Sequence, residues 1–445
     1  MAKLKTMYDP VMFQCSESLD MEKHIVATYY MRGKGTNEID MDLAKFAEAI
    51  AAEQATGTWI NVPFETQDVK ERHAAKVIGI YETPAYDREL PDDLTHRDMI
   101  VRLAFPWENI GTNLPMIFTT AIGNISAARL KLLDLEFPKS YTDNFGGPKF
   151  GIQGVRDYIG IPERPLTCAM IKPDVGWTPE QGGIMAYDAY RGGIDIIKDD
   201  ELLVADPEWC PIEKRVEKIM EAGKRAYEET GEKKLYTVNV SEDAYRVKDL
   251  AYRALDAGAN ALMINTYSVG FSTLRQLAED PNIQVPILSH PDYAAAQSYA
   301  PDTGCAVALL WGKLARLAGA DIAITTNYSG KIAVLRDSYL RTCRDLQMKF
   351  HDIKDCFPAP SGGMYQGVVP NTIYEVGKNV IIAAGGAVHG HRNGATAGAE
   401  SLRDAIDATM QGIDLKEYAK DRENLQIALD DWGCGDKVDL FDMKK

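Results

Sequence analysis

From residue 166 onward one rhythm repeats eight times: a short apolar, β-branched run, a polar or glycine-bearing break, then a longer stretch of helical periodicity. The runs are Leu166–Ile171, Gly193–Ile197, Leu235–Val240, Ala261–Ile264, Val285–Leu288, Asp321–Thr325, Phe357–Pro360 and Asn379–Ala383. Strands that alternate with helices lie parallel, because each connection returns the chain to the same end of the sheet. Eight such units predict a (β/α)8 TIM barrel of about 250 residues. A doubly wound sheet is the competing solution, and no G-x-G-x-x-G follows the first run. Pro211–Thr230, with an Arg/Lys/Glu-rich outer face, and Leu309–Ala318, apolar at helical spacing, read as helices of the outer layer.

Residues 1–150 follow a different pattern. Ile25–Tyr30 and Val77–Tyr81 read as strands, Asp42–Gln54 and Ile125–Leu135 as helices. The expectation is an α+β, ferredoxin-like domain over 1–150, followed by a barrel domain over 151–445. The Gly/Pro-rich stretch Phe145–Gly151 is the expected seam, and the acidic, amphipathic stretch Asp404–Asp431 is expected to form terminal helices.

Composition narrows the function. With 45% hydrophobic and 26% charged residues the chain can bury a large core, which excludes disorder. A net charge of −16, without any Lys/Arg-rich run interleaved with aromatics, argues against nucleic acid as a partner. Met1–Tyr8 holds no apolar signal region, and no run of about 18 apolar residues occurs, so a cytoplasmic protein independent of membranes is expected. Seven cysteines without C-x-x-C spacing read as reduced thiols.

In a (β/α)8 barrel the chemistry gathers where strands end, so the residues just after each run carry the information. They are Lys172-Pro-Asp174, Lys198-Asp-Asp-Glu201, Asn239, Asn265, Ser289-His290, Thr325-Thr-Asn327 with Ser329-Gly-Lys331, Ser361-Gly-Gly363 and Gly385-Gly386. Lys198-Asp199-Asp200-Glu201 offers hard oxygen ligands suited to Mg2+, against the plainer reading of a solvated charged loop. The turns at Ser361, Gly362 and Gly363 and at Gly385 and Gly386 can present backbone N–H groups to a phosphate, or serve only as turns. Lys172 is a candidate acid/base, Lys331 a lysine that can close over an anion, and His290 either an acid/base or a satisfied core residue. His389 and His391, in Val388–Arg392, read as structural rather than metal-binding.

These residues resemble a known family. Gly192-Gly-Ile-Asp-Ile-Ile-Lys-Asp-Asp-Glu201, Lys172-Pro173, Trp311-Gly-Lys-Leu-Ala-Arg-Leu-Ala-Gly-Ala-Asp321, Ser361-Gly-Gly363, Gly385-Gly386, Ala52-Glu53-Gln-Ala-Thr-Gly-Thr-Trp59 and Gly123-Asn124 look like the large subunit of ribulose-bisphosphate carboxylase (RuBisCO) and its relatives. The resemblance covers essentially the whole chain. It implies a homodimer, or a larger ring of dimers, in which Glu53, Thr58, Trp59 and Asn124 reach the neighbouring subunit's active site and Glu53 orders Lys331. It implies CO2 held as a carbamate on Lys198, with the carbamate, Asp200 and Glu201 as ligands of Mg2+.

Departures from the carboxylases point to the non-carboxylating RuBisCO-like (form IV) branch. Asp174 stands where a carboxylase has Lys. His290-Pro291-Asp292-Tyr293 and Ile322–Thr326 replace the segments whose Arg and His grip the second phosphate of a bisphosphate. The first-phosphate set (Thr58, Trp59, Lys331, Gly363, Gly385, Gly386) survives, which implies a phosphorylated sugar or keto-acid substrate with one phosphate, enolised with Mg2+. Within that branch the 2,3-diketo-5-methylthiopentyl-1-phosphate enolase of methionine salvage is one alternative, although that enolase has a Lys where Asn124 stands and differs at Lys331. An isomerase, a decarboxylase, a genuine carboxylase and a non-catalytic member are the others.

Overall fold

The computed structural model describes residues 8–33, 42–58, 60, 62–331 and 334–435. The chain forms two compact units. One contains the residues up to Phe145 together with Tyr293–Leu310, and the other contains Gly146–Asp292 and the residues from Trp311 onward.

The first unit is built on β1 (His24–Arg32), β2 (Lys76–Glu82), β3 (Asp98–Pro106) and β4 (Leu130–Glu136), in the antiparallel order β4-β1-β3-β2 of a ferredoxin-like sheet. The helix Leu43–Glu53 follows β1, with the Asp42 side chain accepting from the N–H groups of Ala44 and Lys45 as its N-cap. The expected helix Ile125–Leu135 is corrected to a short 3-10 turn, Asn124–Ala127, and β4. The cause is a β-bulge: opposite Thr28/Tyr29 the register skips Leu133, so Leu132 and Leu135 both face the core. That three-residue spacing inside a strand imitates a helical pattern. The compact units meet in sequence at Phe145/Gly146 rather than at 150/151, and the first unit takes in a later segment. The excursion Tyr293–Leu310 adds the two-residue strand Gly304–Cys305 beside β4, too short to show any alternation in sequence.

The second unit is the barrel. Its strands are β5 (Leu166–Met170), β6 (Ile196–Lys198), β7 (Leu235–Asn239), β8 (Ala261–Asn265), β9 (Ile287–His290), β10 (Ile322–Thr326), β11 (Phe357–Ser361) and β12 (Ile381–Ala383). All neighbours are parallel in the order β11-β10-β9-β8-β7-β6-β5-β12, and β11 lies beside β12 to close the ring. Leu166, Cys168, Ile196, Leu235, Met263, Leu288, Ile322, Ile324, Phe357, Ala359, Ile381 and Ala383 fill one apolar cluster. The helix Ile212–Thr230 buries Ile212, Val216, Ile219, Ala222 and Ala226 at helical spacing and keeps its charged face outward. The acidic C-terminal stretch packs as helices Gly394–Met410, Leu415–Tyr418 and Glu423–Trp432. All seven cysteines are free, and among the described residues no helix is long and apolar enough to cross a membrane.

Candidate active site

The ends of β5, β6 and β9 bring charged groups together. Strand geometry explains which ones. Side chains alternate across a strand, so along Lys198-Asp199-Asp200 the middle residue points the other way. Asp199 is fully buried beneath the helix layer: its Oδ1 accepts from Tyr236 O–H at 2.5 Å, its Oδ2 from Asn239 N–H at 2.9 Å, and Arg215 pairs with it at 3.3 Å. Asp199 is thereby committed to structure. Lys198, Asp200 and Glu201 remain for the barrel mouth.

Lys198, with a side chain 1% exposed, donates from Nζ to Asp199 O at 2.7 Å and pairs with Glu201 Oε2 at 3.0 Å. His290 Nδ1 accepts from Asp292 N–H at 3.2 Å, which leaves the proton on Nε2 facing Glu201 Oε2 at 3.2 Å. Burial alone would raise the Glu201 carboxyl, but Lys198 and then His290 hold it down at about 2. Burial, reinforced by the Lys198 charge, lowers His290 and keeps it neutral near pH 7. Asn265 Nδ2 donates to Glu201 O at 3.0 Å and Asn239 Nδ2 to Leu203 O at 3.0 Å, so two further strand ends hold this loop.

Lys172 lies between two carboxylates. Its Nζ donates to Asp200 Oδ2 at 2.7 Å and to Asp174 Oδ1. Burial works against its charge, but Asp174 and Asp200 outweigh burial and raise its pKa, so the ammonium persists at neutral pH. Asp200 is shifted upward by burial, with Lys172 opposing. Gly385 is a neighbour: a Cβ there would sit 3.0 Å from Lys172 Cε, so a side chain at the end of β12 would shift the lysine by a few tenths of an ångström.

The donor set bears on a metal. Among the described residues no three His, Cys, Asp or Glu side chains gather as a metal cluster. Asp200 and Glu201 supply two carboxylates, and the Lys198 ammonium paired with Glu201 cannot ligate a cation. Addition of CO2 to Nζ would turn that cation into an anionic oxygen donor and complete a hard ligand set that fits Mg2+.

A second cluster forms where β10 and β11 end. Lys331 N donates to Gly362 O at 2.6 Å, seating the lysine's backbone on the Ser361–Gly363 turn. Gly363 adopts φ 113°, and a Cβ there would lie 2.5 Å from Lys331 N. His391 is structural, its Nε2 on Asn424 O at 3.0 Å. His389 is kept neutral, at about 4, by burial and then by the charge of Lys172. Glu53, Thr58 and Asn124 belong to the other unit, exposed on it, with Asn124 Nδ2 donating to Glu53 Oε1 at 3.3 Å. Trp59 lies outside the described residues. Sequence reasoning assigned no role to Asp292, which fixes the His290 tautomer; its place two residues after a strand-end histidine was the available signal.

Residues 151–432 match the model of the ribulose bisphosphate carboxylase large chain, catalytic domain, and residues 16–141 match that of its N-terminal domain. The chain belongs to the RuBisCO large-chain family. Within the family it is 49% identical over 416 residues to a ribulose bisphosphate carboxylase-like protein of Archaeoglobus fulgidus, covering 93% of this chain and 94% of the relative. It is 36% identical over 418 residues to the 2,3-diketo-5-methylthiopentyl-1-phosphate enolase of Geobacillus thermodenitrificans, covering 92% and 98%. Among solved structures, a rubisco-like protein (MtnW) from Alicyclobacillus acidocaldarius superposes with a TM-score of 0.83 at 32% identity, covering 92% of this chain and 100% of that one. A dimeric archaeal Rubisco from Hyperthermus butylicus gives 0.80 at 32% identity, covering 93% and 96%. The relatives thus include RuBisCO-like proteins and an enzyme, and the RuBisCO-like branch is where the chain sits.

Proposed function

We propose that this chain is a non-carboxylating, Mg2+-dependent enzyme that enolises a ketose or keto-sugar-acid monophosphate. The observation that carries the reading is Lys172 held between Asp174 and Asp200, one strand from the Lys198–Glu201–His290 chain. Lys198 as its carbamate, Asp200 and Glu201 would hold Mg2+, which when bound polarises a carbonyl and lowers the cost of enolate charge. Lys172, kept as an ammonium, donates a proton or a hydrogen bond from Nζ to the substrate oxygen that gains charge. His290, neutral and donating from Nε2, orients Glu201 and has no free lone pair on that nitrogen with which to act as the base.

Phosphate capture falls to Lys331 and the turns at Ser361–Gly363 and Gly385–Gly386, and the backbone seat of Lys331 on Gly362 supports this. A homodimer completes the account, with Glu53, Thr58, Trp59 and Asn124 turned toward a second copy; the exposure of Glu53, Thr58 and Asn124 on their own unit supports it. The similarity to the diketo methylthiopentyl phosphate enolase supports a place for that substrate among those tested.

The experiment is 13C NMR with labelled bicarbonate and Mg2+, run beside a proton-exchange assay on monophosphates. A carbamate signal and exchange that both vanish in Lys198→Ala are expected. Exchange retained in Lys198→Ala overturns the mechanism.

A further inference from the structure

The loop that carries Lys331 leaves the barrel after Asn327 and re-enters it at the helix Arg336–Gln347. Both of its feet converge on one oxygen. Tyr328 donates its O–H to Glu375 Oε1 at 3.1 Å, and Arg336 Nε donates to the same atom at 2.7 Å. Glu375 belongs to the neighbouring helix Val369–Val376, its side chain is 2% exposed, and its other oxygen, Oε2, is buried without a partner. A carboxylate taken out of water is costly unless cations and donors attend it, and both attendants here come from the ends of one loop.

Further bonds hold the first part of the loop, up to Lys331. Asn327 Oδ1 accepts from Ser329 N–H at 2.8 Å and Ser329 O–H at 2.6 Å, and Lys331 N donates to Gly362 O at 2.6 Å. Burial, reinforced by Glu375, pushes the Tyr328 phenol up to about 12, so it remains a donor across the physiological range. An ordinary surface ion pair would join Glu375 and Arg336 alone and leave Tyr328 indifferent.

We propose that Glu375 is a positioning residue that clamps Tyr328 and Arg336, on either side of Lys331 in the chain, to one helix and so sets where Lys331 meets the Ser361–Gly363 turn. The consequence for substrate binding rests on Lys331 as the phosphate-closing lysine, whereas the clamp itself stands on the contacts above.

The test uses the full chain carrying Glu375→Gln, Tyr328→Phe or both. Native-state trypsin cleavage after Lys331 is timed by mass spectrometry, with cleavage after exposed Lys420 as internal control. Loss of a charge-assisted bond predicts cleavage at Lys331 faster by about tenfold in either single variant, with Lys420 unchanged. Because both substitutions weaken the Tyr328–Glu375 bond, the double variant is expected to be faster than the parent by less than the product of the two single accelerations. An unchanged rate at Lys331, or equal acceleration at Lys331 and Lys420, overturns the clamp. The same variants are then assayed by proton exchange, where a rise in KM for the monophosphate with kcat within about twofold is expected. Faster cleavage with an unaltered KM would overturn the phosphate role of Lys331 and leave the clamp standing.

Discussion

Asp199→Asn probes the support under the site. The side chain is fully buried and serves three partners at once: the Tyr236 hydroxyl, the Asn239 N–H and the Arg215 guanidinium. Asparagine keeps the volume but offers one acceptor oxygen in place of two. Its amide NH2 can face Tyr236, whose oxygen can accept, only by losing the ordered Tyr236 donation. Turned the other way, it opposes the Asn239 N–H. In either orientation Arg215, also fully buried, loses its counter-charge and keeps only Tyr236 and the carbonyls of Ala205 and Cys210. Breaking a buried pair in this way costs about 3–5 kcal/mol. Equilibrium urea unfolding of the parent and the variant measures it, and Asp199→Asn combined with Arg215→Met is expected to lose less than the sum of the single losses. Mg2+ affinity should fall as well, because Asp199 is bonded into the chain between Lys198 and Asp200. A loss under about 1 kcal/mol, with unchanged Mg2+ affinity, would refute the argument that this buried triad holds the loop.

Three further outcomes follow from the contacts. His290→Ala removes the Nε2–H donor on Glu201 and is expected to weaken Mg2+ binding by about 10- to 100-fold, read by calorimetry in bicarbonate. Gly363→Ala puts a Cβ 2.5 Å from Lys331 N at a left-handed φ, so KM for a monophosphate should rise about tenfold or more, from about 1–3 kcal/mol of strain. Asp280 is held at about 2, below its usual 3.8, chiefly by its bond to Lys248. With its pKa depressed in the folded state, Asp280 contributes stability above pH 3.8 that is lost as pH falls toward 2. Thermal unfolding of Lys248→Ala and parent should therefore differ at pH 5 and converge near pH 2.

The barrel was legible because eight short apolar runs each stood before a helical stretch, and the absence of a G-x-G-x-x-G after the first set a closed ring apart from a doubly wound sheet. The strand ends also identified the clustered groups, since Lys172, Lys198, Asp200, Glu201 and His290 all follow directly on apolar runs. Other features were hidden for physical reasons. The bulge at Leu133 gave a strand the spacing of a helix, and the Tyr293–Leu310 excursion pairs through only two residues. Asp199 and Asp200 are chemically identical in sequence, and only strand parity and Arg215 on a distant helix separate the buried counter-ion from the mouth residue. The Glu375 clamp joins positions 39 and 47 residues away, a pairing that no local pattern signals.

The most direct test of enolisation at a one-phosphate site is deuterium incorporation in D2O with Mg2+ and bicarbonate, followed by NMR. The panel is methylthioribulose-1-phosphate, the diketo methylthiopentyl phosphate, a 3-oxo sugar-acid phosphate and ribulose bisphosphate. Incorporation into a monophosphate, none into the bisphosphate, and loss of both exchange and Mg2+ binding in Lys198→Ala are the predicted results. Exchange confined to ribulose bisphosphate, or exchange by the wild-type protein stripped of Mg2+, would contradict the account.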